Sequence, residues 1–240
     1  MYDTATGNPG ALISLLNCES VALPSRNSIS FLQKKLLTWF DQHGRKFPWR
    51  KDNLSNYELI IAEVLLQRTR AETVAKFYDK FIEAFPNWKS LTEAKLLDIQ
   101  NFLVPIGLYR QRAHRLQNLA KEMVRRKYKL PRQRDELENI PFFGQYMANA
   151  VNLLVFKEPS PLIDVNMARV LERFFENRKL ADIRYDHGLQ DLAHRVVMVP
   201  QPENINWAIL DFAALVCKAR RPACENCPLS EQCTFIKTCG

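Results

Sequence analysis

Four cysteines near the C-terminus have a spacing that indicates a metal-binding site. Cys217, Cys224, Cys227 and Cys233 are separated by six, two and five intervening residues. Thiolates are soft ligands that favour zinc or an iron-sulfur cluster over hard cations. Structural zinc sites usually draw their ligands from two short Cys-x2-4-Cys pairs, and here only Cys224 and Cys227 form such a pair. The spacing therefore favours an iron-sulfur cluster, with zinc as the alternative.

A second candidate site is the turn Ile140-Pro141-Phe142-Phe143-Gly144, between a predicted helix ending near Asn139 and another beginning near Gly144. The first amides of a helix have no intrahelical partner, and they can bind a phosphate group. We therefore expect the backbone amides of Gly144, Gln145 and Tyr146 to face a phosphate, with Phe143 in the same DNA-binding turn. In the second helix, we expect Met147, Ala150, Val151 and Leu154 to face a core.

Asp164 is the third candidate, because it stands at the start of a predicted helix between apolar neighbours. Asp is a favoured residue at the N-terminal cap of a helix. Taken alone, the hairpin and this residue therefore favour an ordinary structural role.

The elements that position these residues are predicted to be helices. Apolar side chains recur at helical intervals from Ser30 to about Gly44. Further helices are predicted at 55–67, 70–85, 92–104, 110–127, 145–156, 165–175, 186–198 and 203–217. Proline and glycine mark most of the breaks, and no period-two pattern indicates a strand. We predict an all-α fold, with residues 1–28 as a loosely ordered tail.

Composition narrows the classes of partner. The chain has 240 residues, 47% of them hydrophobic, which is enough to fill a core. A formal charge of +8 favours a polyanionic partner. Neither a signal peptide nor a membrane span is visible, so we expect a cytoplasmic, nucleoid-associated protein with no membrane partner. Cys18 and Cys239 would be spare thiols in a reduced compartment.

The order of these features resembles the helix-hairpin-helix DNA glycosylases of the endonuclease III superfamily, particularly the thymine/uracil mismatch glycosylases and the MutY-like branch. The resemblance runs from about Leu36 to Cys233 and includes four further segments: Phe47-Pro48-Trp49-Arg50, Glu63-Val64-Leu65-Leu66-Gln67-Arg68-Thr69, Ile106-Gly107-Leu108-Tyr109 and Asp164-Val165-Asn166.

The resemblance implies a two-lobed helix-hairpin-helix fold. A six-helix barrel lobe would span 53–164, with the hairpin motif at about 137–150. An iron-sulfur-cluster lobe would combine 29–52 with 165–240, and the four cysteines would hold one 4Fe-4S cluster. Double-stranded DNA containing a mismatched or damaged base would bind between the lobes, and a monomer would hydrolyse the base-sugar bond of that base.

Tyr146 suggests a subclass, because relatives that also cut the strand have a lysine here whose amine forms a Schiff base with the sugar. A tyrosine resembles the branch that removes thymine or uracil opposite guanine. The short C-terminus agrees, since adenine-removing relatives have an additional domain. Glu63 does not discriminate, because both branches share its segment. It would protonate a departing adenine, or contact a flipped pyrimidine or order water, unless it is a surface residue near Arg68 or Arg70.

The resemblance also assigns roles to other residues. Asp164 would remain ionised and would stabilise positive charge on the sugar or assist the attack of water. Tyr146 would lie against the flipped pyrimidine or order the pocket. Gln67 and Arg68 would fill the vacated stack or contact the estranged base, with Tyr109 as a second candidate wedge. The basic loop of Lys218, Arg220 and Arg221 would contact phosphates, and the cluster would be structural.

One departure concerns the hairpin, where Phe142 replaces the usual first glycine. We expect an altered phosphate clamp, because glycine permits backbone angles that phenylalanine resists. The alternatives left open are an adenine glycosylase acting opposite guanine or its oxidised form, a modified-pyrimidine glycosylase, and a catalytically inactive DNA-binding scaffold.

Overall fold

The computed structural model describes residues 24–176 and 182–239. Within these ranges every regular element is helical and no strand occurs, which confirms the all-α prediction. The helices are α1 Arg26–His43, α2 Asn56–Leu66, α3 Ala71–Ala75, α4 Tyr78–Ala84, α5 Trp88–Glu93, α6 Leu96–Leu103, α7 Tyr109–Arg125, α8 Arg134–Glu138, α9 Gln145–Ala150, α10 Val165–Phe175, α11 His187–Val197, α12 Pro202–Leu215 and α13 Thr234–Cys239.

Short irregular turns supplement these helices. Single 3-10 turns occur at Pro48–Arg50 and Val104–Ile106, and α9 continues as a π-helical segment over Val151–Val155. The predicted helix at 70–85 is divided between α3 and α4, and the one predicted at 92–104 covers the end of α5 and α6. Neither division contains proline or glycine, so the local sequence gave no sign of it.

The N-terminal cap of α1 corrects the predicted length of the tail. The Ser25 hydroxyl accepts a hydrogen bond from the Ser28 amide at 3.2 Å, so the helix begins at Arg26. The last three residues of the predicted tail are therefore helical. Residues 24–25 are described and precede the helix, and residues 1–23 lie outside the described residues.

Helix α2 crosses the interior of the first half of the fold. A capping box between Ser55 and Glu58 fixes its start. Its buried residues follow one another along the chain instead of forming a stripe: Tyr57, Ile60, Ile61, Ala62, Glu63, Val64 and Leu65. A helix that is apolar on all sides belongs in a core. Burial of the apolar residues on either side of Glu63 places its carboxylate in the protein interior.

Two main hydrophobic cores organise the described chain. One lies between Phe47 and Val151 in sequence, and the other combines Ile29–Leu36 with residues from Ile163 to Cys233. A small third cluster around Leu154 and Leu162 lies beside Tyr146 and Trp207. The predicted lobe boundaries at 52 and 164 stay a prediction, although Phe47 and Trp49 pack into the first core.

Candidate active site and metal centre

Glu63 and Tyr146 form the centre of the candidate site. The Tyr146 hydroxyl donates a hydrogen bond of 2.8 Å to Oε2 of Glu63, joining α2 to α9. Glu63 is only 5% exposed, so it is not a surface residue near Arg68 or Arg70. Burial raises the pKa of Glu63 to about 7, and the charge of Asp164 raises it further, against the Tyr146 hydrogen bond and Arg50. A carboxyl group with this pKa can give or accept a proton near neutrality.

Asp164 is the N-terminal cap of α10, as the sequence predicted. Its Oδ1 accepts from the Asn166 and Met167 amides at 2.9 and 2.8 Å, and its Oδ2 accepts from the Asn166 side-chain amide at 2.6 Å. Burial raises the pKa of Asp164, whereas these three hydrogen bonds favour the ionised form. Its charge also contributes to raising the pKa of Tyr146, mainly a result of burial. The cap position and the candidate active site therefore coincide.

Buried amide side chains hold the segment that leads to Asp164. The fully buried Asn206 of α12 accepts a 2.7 Å hydrogen bond from the Leu162 amide and donates to the Ser160 carbonyl at 3.2 Å. Asn149 donates to the Pro161 carbonyl at 2.8 Å. These contacts tie the approach to the carboxylate to both halves of the fold.

A polar chain extends from Asp164 to the cysteine array. The Arg169 guanidinium donates to Oδ1 of Asn166 at 3.1 Å and to the Cys217 carbonyl at 3.0 Å. Because Asn166 also donates to Asp164, the order of the cysteine loop and the orientation of the carboxylate are physically connected.

Arg50 brings a positive charge to the same region. Its guanidinium makes two parallel hydrogen bonds, of 2.8 and 3.0 Å, to the fully buried carboxylate of Asp211. It also lies 5.2 Å from the centre of the Trp207 ring. Asp211 binds Arg45 as well, at 2.7 Å, so the buried carboxylate is well compensated. Arg50 thus has a fixed position and lowers the pKa of Glu63.

The four predicted ligand cysteines line one pocket. The rest of its wall is mainly apolar and includes Val170, Phe174 and Phe212. Within the described residues, no group of three or more His, Cys, Asp or Glu side chains is arranged around a single metal ion. The four thiols therefore line one common and mainly apolar pocket.

The four cysteines lie close enough together to affect one another electrostatically. Burial, together with the other three thiols, raises the pKa of Cys227 to about 11. Arg173 donates to the Cys217 sulfur at 3.5 Å and to the Lys218 carbonyl at 2.8 Å, which fixes the loop between the first two ligands. Cys18 lies outside the described residues.

Two of the predicted DNA-contacting residues, Gln67 and Arg68, lie at the end of α2. Gln67 is its C-terminal cap, and Arg68 is exposed with a φ of 56°, in the left-handed region. Tyr109 is the half-buried first residue of α7 and packs against the first core. The Tyr109 side chain therefore packs partly against the core and is partly exposed at the surface.

The hairpin retains a glycine-type backbone despite its sequence. Phe142 has a φ of 76°, and its half-buried ring lies 5.3 Å from the Arg115 guanidinium. The Phe143 side chain is buried in the first core, so only its backbone is available to a phosphate. Gly144 is exposed and Gln145 half-buried at the start of α9. The backbone conformation expected of the missing glycine is therefore present, at the cost of strain.

The basic loop lies beside the cysteine cavity. Lys218, Arg220 and Arg221 are all exposed between the first two ligand cysteines. Arg173 holds the start of this loop, so its charges have a defined place on the surface.

Comparisons with known proteins agree with this geometry. Residues 61–192 match the family model of the HhH-GPD superfamily base excision DNA repair proteins. The chain is 32% identical to a thymine/uracil-DNA glycosylase of Methanothermobacter thermautotrophicus, over 85% of this chain and 93% of that protein. It is 31% identical to an adenine DNA glycosylase of Rattus norvegicus, over 88% of this chain but 43% of that protein. The structure of a thermostable thymine-DNA glycosylase superimposes with a TM-score of 0.80 at 30% identity, covering 89% of this chain and 98% of that one.

The chain therefore belongs to the HhH-GPD superfamily of base excision DNA repair proteins. Residues 217–233 match the iron-sulfur binding domain of endonuclease III, which confirms the predicted 4Fe-4S cluster. The assignment of Cys217, Cys224, Cys227 and Cys233 as its ligands stays a prediction. Among the described residues, no helix has the length and apolar character needed to cross a membrane.

Proposed function

We propose that this enzyme is a monofunctional DNA glycosylase that releases thymine or uracil opposite guanine and leaves an abasic site. The observation that carries the proposal is the hydrogen-bonded pair of Glu63 and Tyr146 close to Asp164. A tyrosine occupies the place of the lysine that strand-cutting relatives use. The similarity to thymine/uracil-DNA glycosylases along most of both chains supports the choice of base.

The target nucleotide must leave the base stack before it can meet Asp164. Extrusion costs a few kcal/mol and costs least at a mismatch, which provides part of the selectivity. Gln67, Arg68 and Tyr109 occupy the vacated space in this account. The exposed basic loop and the first amides of α9 contact phosphates and position the duplex.

Asp164 then acts on the sugar. The bond between C1' and N1 breaks, and its electron pair leaves with the base. Positive charge develops on the sugar ring, and the fixed negative carboxylate stabilises it. Water adds its oxygen to C1', one of its protons ends on the released base, and the products are free pyrimidine and an abasic deoxyribose.

Glu63 acts on the departing base. With a pKa of about 7, it is substantially protonated near neutral pH. In that form it donates a hydrogen bond to the base edge as negative charge accumulates there. Tyr146 holds the Glu63 carboxyl in place through Oε2, which leaves Oε1 for the base or an ordered water.

Release of adenine is a second candidate function, because a buried acid with this pKa also suits protonation of a purine. The adenine glycosylase of Rattus norvegicus supports this candidate over less than half of its own length. A modified pyrimidine would use the same groups as thymine. An inactive scaffold is disfavoured, since burial of two carboxylates is costly without a use for them.

A panel of labelled duplexes tests the proposal. It contains T:G, U:G, A:G, A opposite 8-oxoguanine, and methylated cytosine opposite guanine. We expect alkali-dependent strand breaks with T:G and U:G, an abasic product without alkali, and a monomer on the DNA by light scattering. Preferential release of adenine would support the second candidate, and no release from any duplex would support the scaffold. Co-fractionation with chromosomal DNA tests the proposed nucleoid location.

A further inference from the structure

Arg112, in the second turn of α7, is a buried cation that none of the roles above uses. It is 9% exposed, although arginine is rarely buried without partners. Its Nη2 donates to the Gln67 carbonyl at 2.7 Å and to the Thr69 hydroxyl at 3.0 Å, while Nη1 lies 3.4 Å from the Leu65 carbonyl. All three acceptors belong to the end of α2 and the turn that follows it.

The same residue connects two exposed turns with unusual backbone angles. Arg68 lies between the two Arg112-bound residues Gln67 and Thr69 and has a φ of 56°. Leu108, which precedes Tyr109, has a φ of 50° and is 59% exposed. The Leu108 carbonyl accepts the backbone amide of Arg112 at 2.9 Å. The hydrogen bond to Leu108 is the first ordinary backbone bond of α7, so the Arg112 side chain is what joins the start of this helix to the Gln67–Thr69 turn.

Left-handed angles at residues other than glycine are unfavourable and persist only where neighbouring groups hold them. A planar guanidinium suits this task, because its fixed fork reaches two acceptors at once. Capping of the α2 carbonyls is the ordinary explanation of these contacts. Capping alone does not require that both constrained turns be exposed, or that they carry Arg68 and Tyr109.

We propose that Arg112 is a positioning residue for base extrusion. It locks the Gln67–Thr69 turn and the start of α7 into one rigid unit that enters the duplex when the target nucleotide leaves. This inference rests on the proposed function but concerns a step before the chemistry. Arg112 itself touches neither the base nor the sugar in this account.

The test compares single-turnover base release from two duplexes. In one, uracil lies opposite guanine; in the other, the same uracil lies opposite an abasic analogue, so that less stacking and pairing must be broken. The ratio is the rate with uracil opposite guanine divided by the rate with uracil opposite the abasic analogue. We expect Arg112→Met to lower this ratio by roughly 10- to 100-fold, since small misplacements of positioning groups have effects of that size. Arg112→Lys should be intermediate, because an ammonium cannot reproduce the fork.

Lys121→Met is the matched control, since it removes one positive charge from an exposed site on the same helix. It should leave the ratio unchanged. Thr69→Val removes one Arg112 acceptor and should shift the ratio in the same direction by a smaller amount, which keeps the test valid if Arg112→Met folds poorly. A 2-aminopurine beside the uracil, measured in an Asp164→Asn background, should brighten on binding, and less so when Arg112→Met is added.

An equal loss of rate on both duplexes, with undiminished 2-aminopurine brightening, would show that Arg112 only caps α2 and would overturn the proposal. If the parent enzyme releases base and the ratio is the same in Arg112→Met, only the inference about Arg112 fails. If the parent releases no base from either duplex, the proposed function fails and the inference falls with it.

Discussion

Replacement of Glu63 by glutamine should remove a large part of the pH dependence of both stability and catalysis. The structure places a carboxyl group with a pKa of about 7 in the core, against an ordinary value of 4.5. At 1.36 kcal/mol per pKa unit, the difference corresponds to about 3 kcal/mol. The pKa of Glu63 is higher in the folded protein than in the unfolded chain. The stability that comes from burying the neutral carboxyl group is therefore fully present below the unfolded pKa, and it is lost as pH rises through the folded pKa of about 7.

The first assay is chemical denaturation across this range. Between about pH 4 and about pH 8, the free energy of unfolding of the parent should fall by about 3 kcal/mol more than that of Glu63→Gln. Glu83→Gln is the control, because Glu83 is an exposed carboxylate in the same half of the fold. It should follow the parent. Parallel curves for the parent and Glu63→Gln would refute the assignment of a buried, half-protonated carboxyl.

The second assay is the single-turnover rate of base release against pH. If protonated Glu63 donates to the departing base, the parent rate falls as pH rises through and above about 7. Glu63→Gln cannot change its protonation, so its slower rate should be flat in this range. A profile with the same midpoint in the variant would assign the titration to another group and refute the proposed role.

Three further predictions concern the other parts of the site. Tyr146→Lys places an amine in the position that strand-cutting relatives use. Some strand breakage without alkali should then occur, and borohydride should trap the protein on DNA. Absence of a trapped complex would show that the geometry forbids attack on C1'. Cys224→Ser should lower the iron and sulfide content of the purified protein and weaken DNA binding, because the loop beside the cluster loses its anchor; full iron content would contradict the ligand assignment. Joint replacement of Lys218, Arg220 and Arg221 by alanine should make the slope of log affinity against log salt concentration shallower by about 2 to 3, at roughly 0.9 per phosphate contact. An unchanged slope would place the loop away from DNA.

Features with a local signal were predictable from the sequence. The spacing of the cysteines indicated the cluster, and an aspartate before an apolar helical run indicated a cap at Asp164. The breaks at Lys76-Phe77 and Ala94-Lys95 were missed, because neither contains a helix-breaking residue. There, tertiary packing decides where one helix ends and the next begins.

Features that depend on distant residues were not predictable from the local sequence. Arg50 and Asp211 are 161 positions apart, and no local pattern connects them. Arg112 likewise had no signal beyond a charged residue on the apolar side of α7. The burial of Glu63 could have been recognised, since an unbroken apolar run around it indicates a helix without a solvent face.

The most direct test of the central claim is to measure free base by mass spectrometry after incubation with T:G and U:G duplexes, for the parent and for Asp164→Asn. Asparagine is as good an N-terminal cap as aspartate, so the variant should fold with a stability change below about 1 kcal/mol and still bind the mismatch. We predict that the parent releases thymine and uracil, and that Asp164→Asn is slower by on the order of 1,000-fold or more. Release at the parent rate by the folded variant would contradict the claim that this carboxylate stabilises the sugar as its bond to the base breaks.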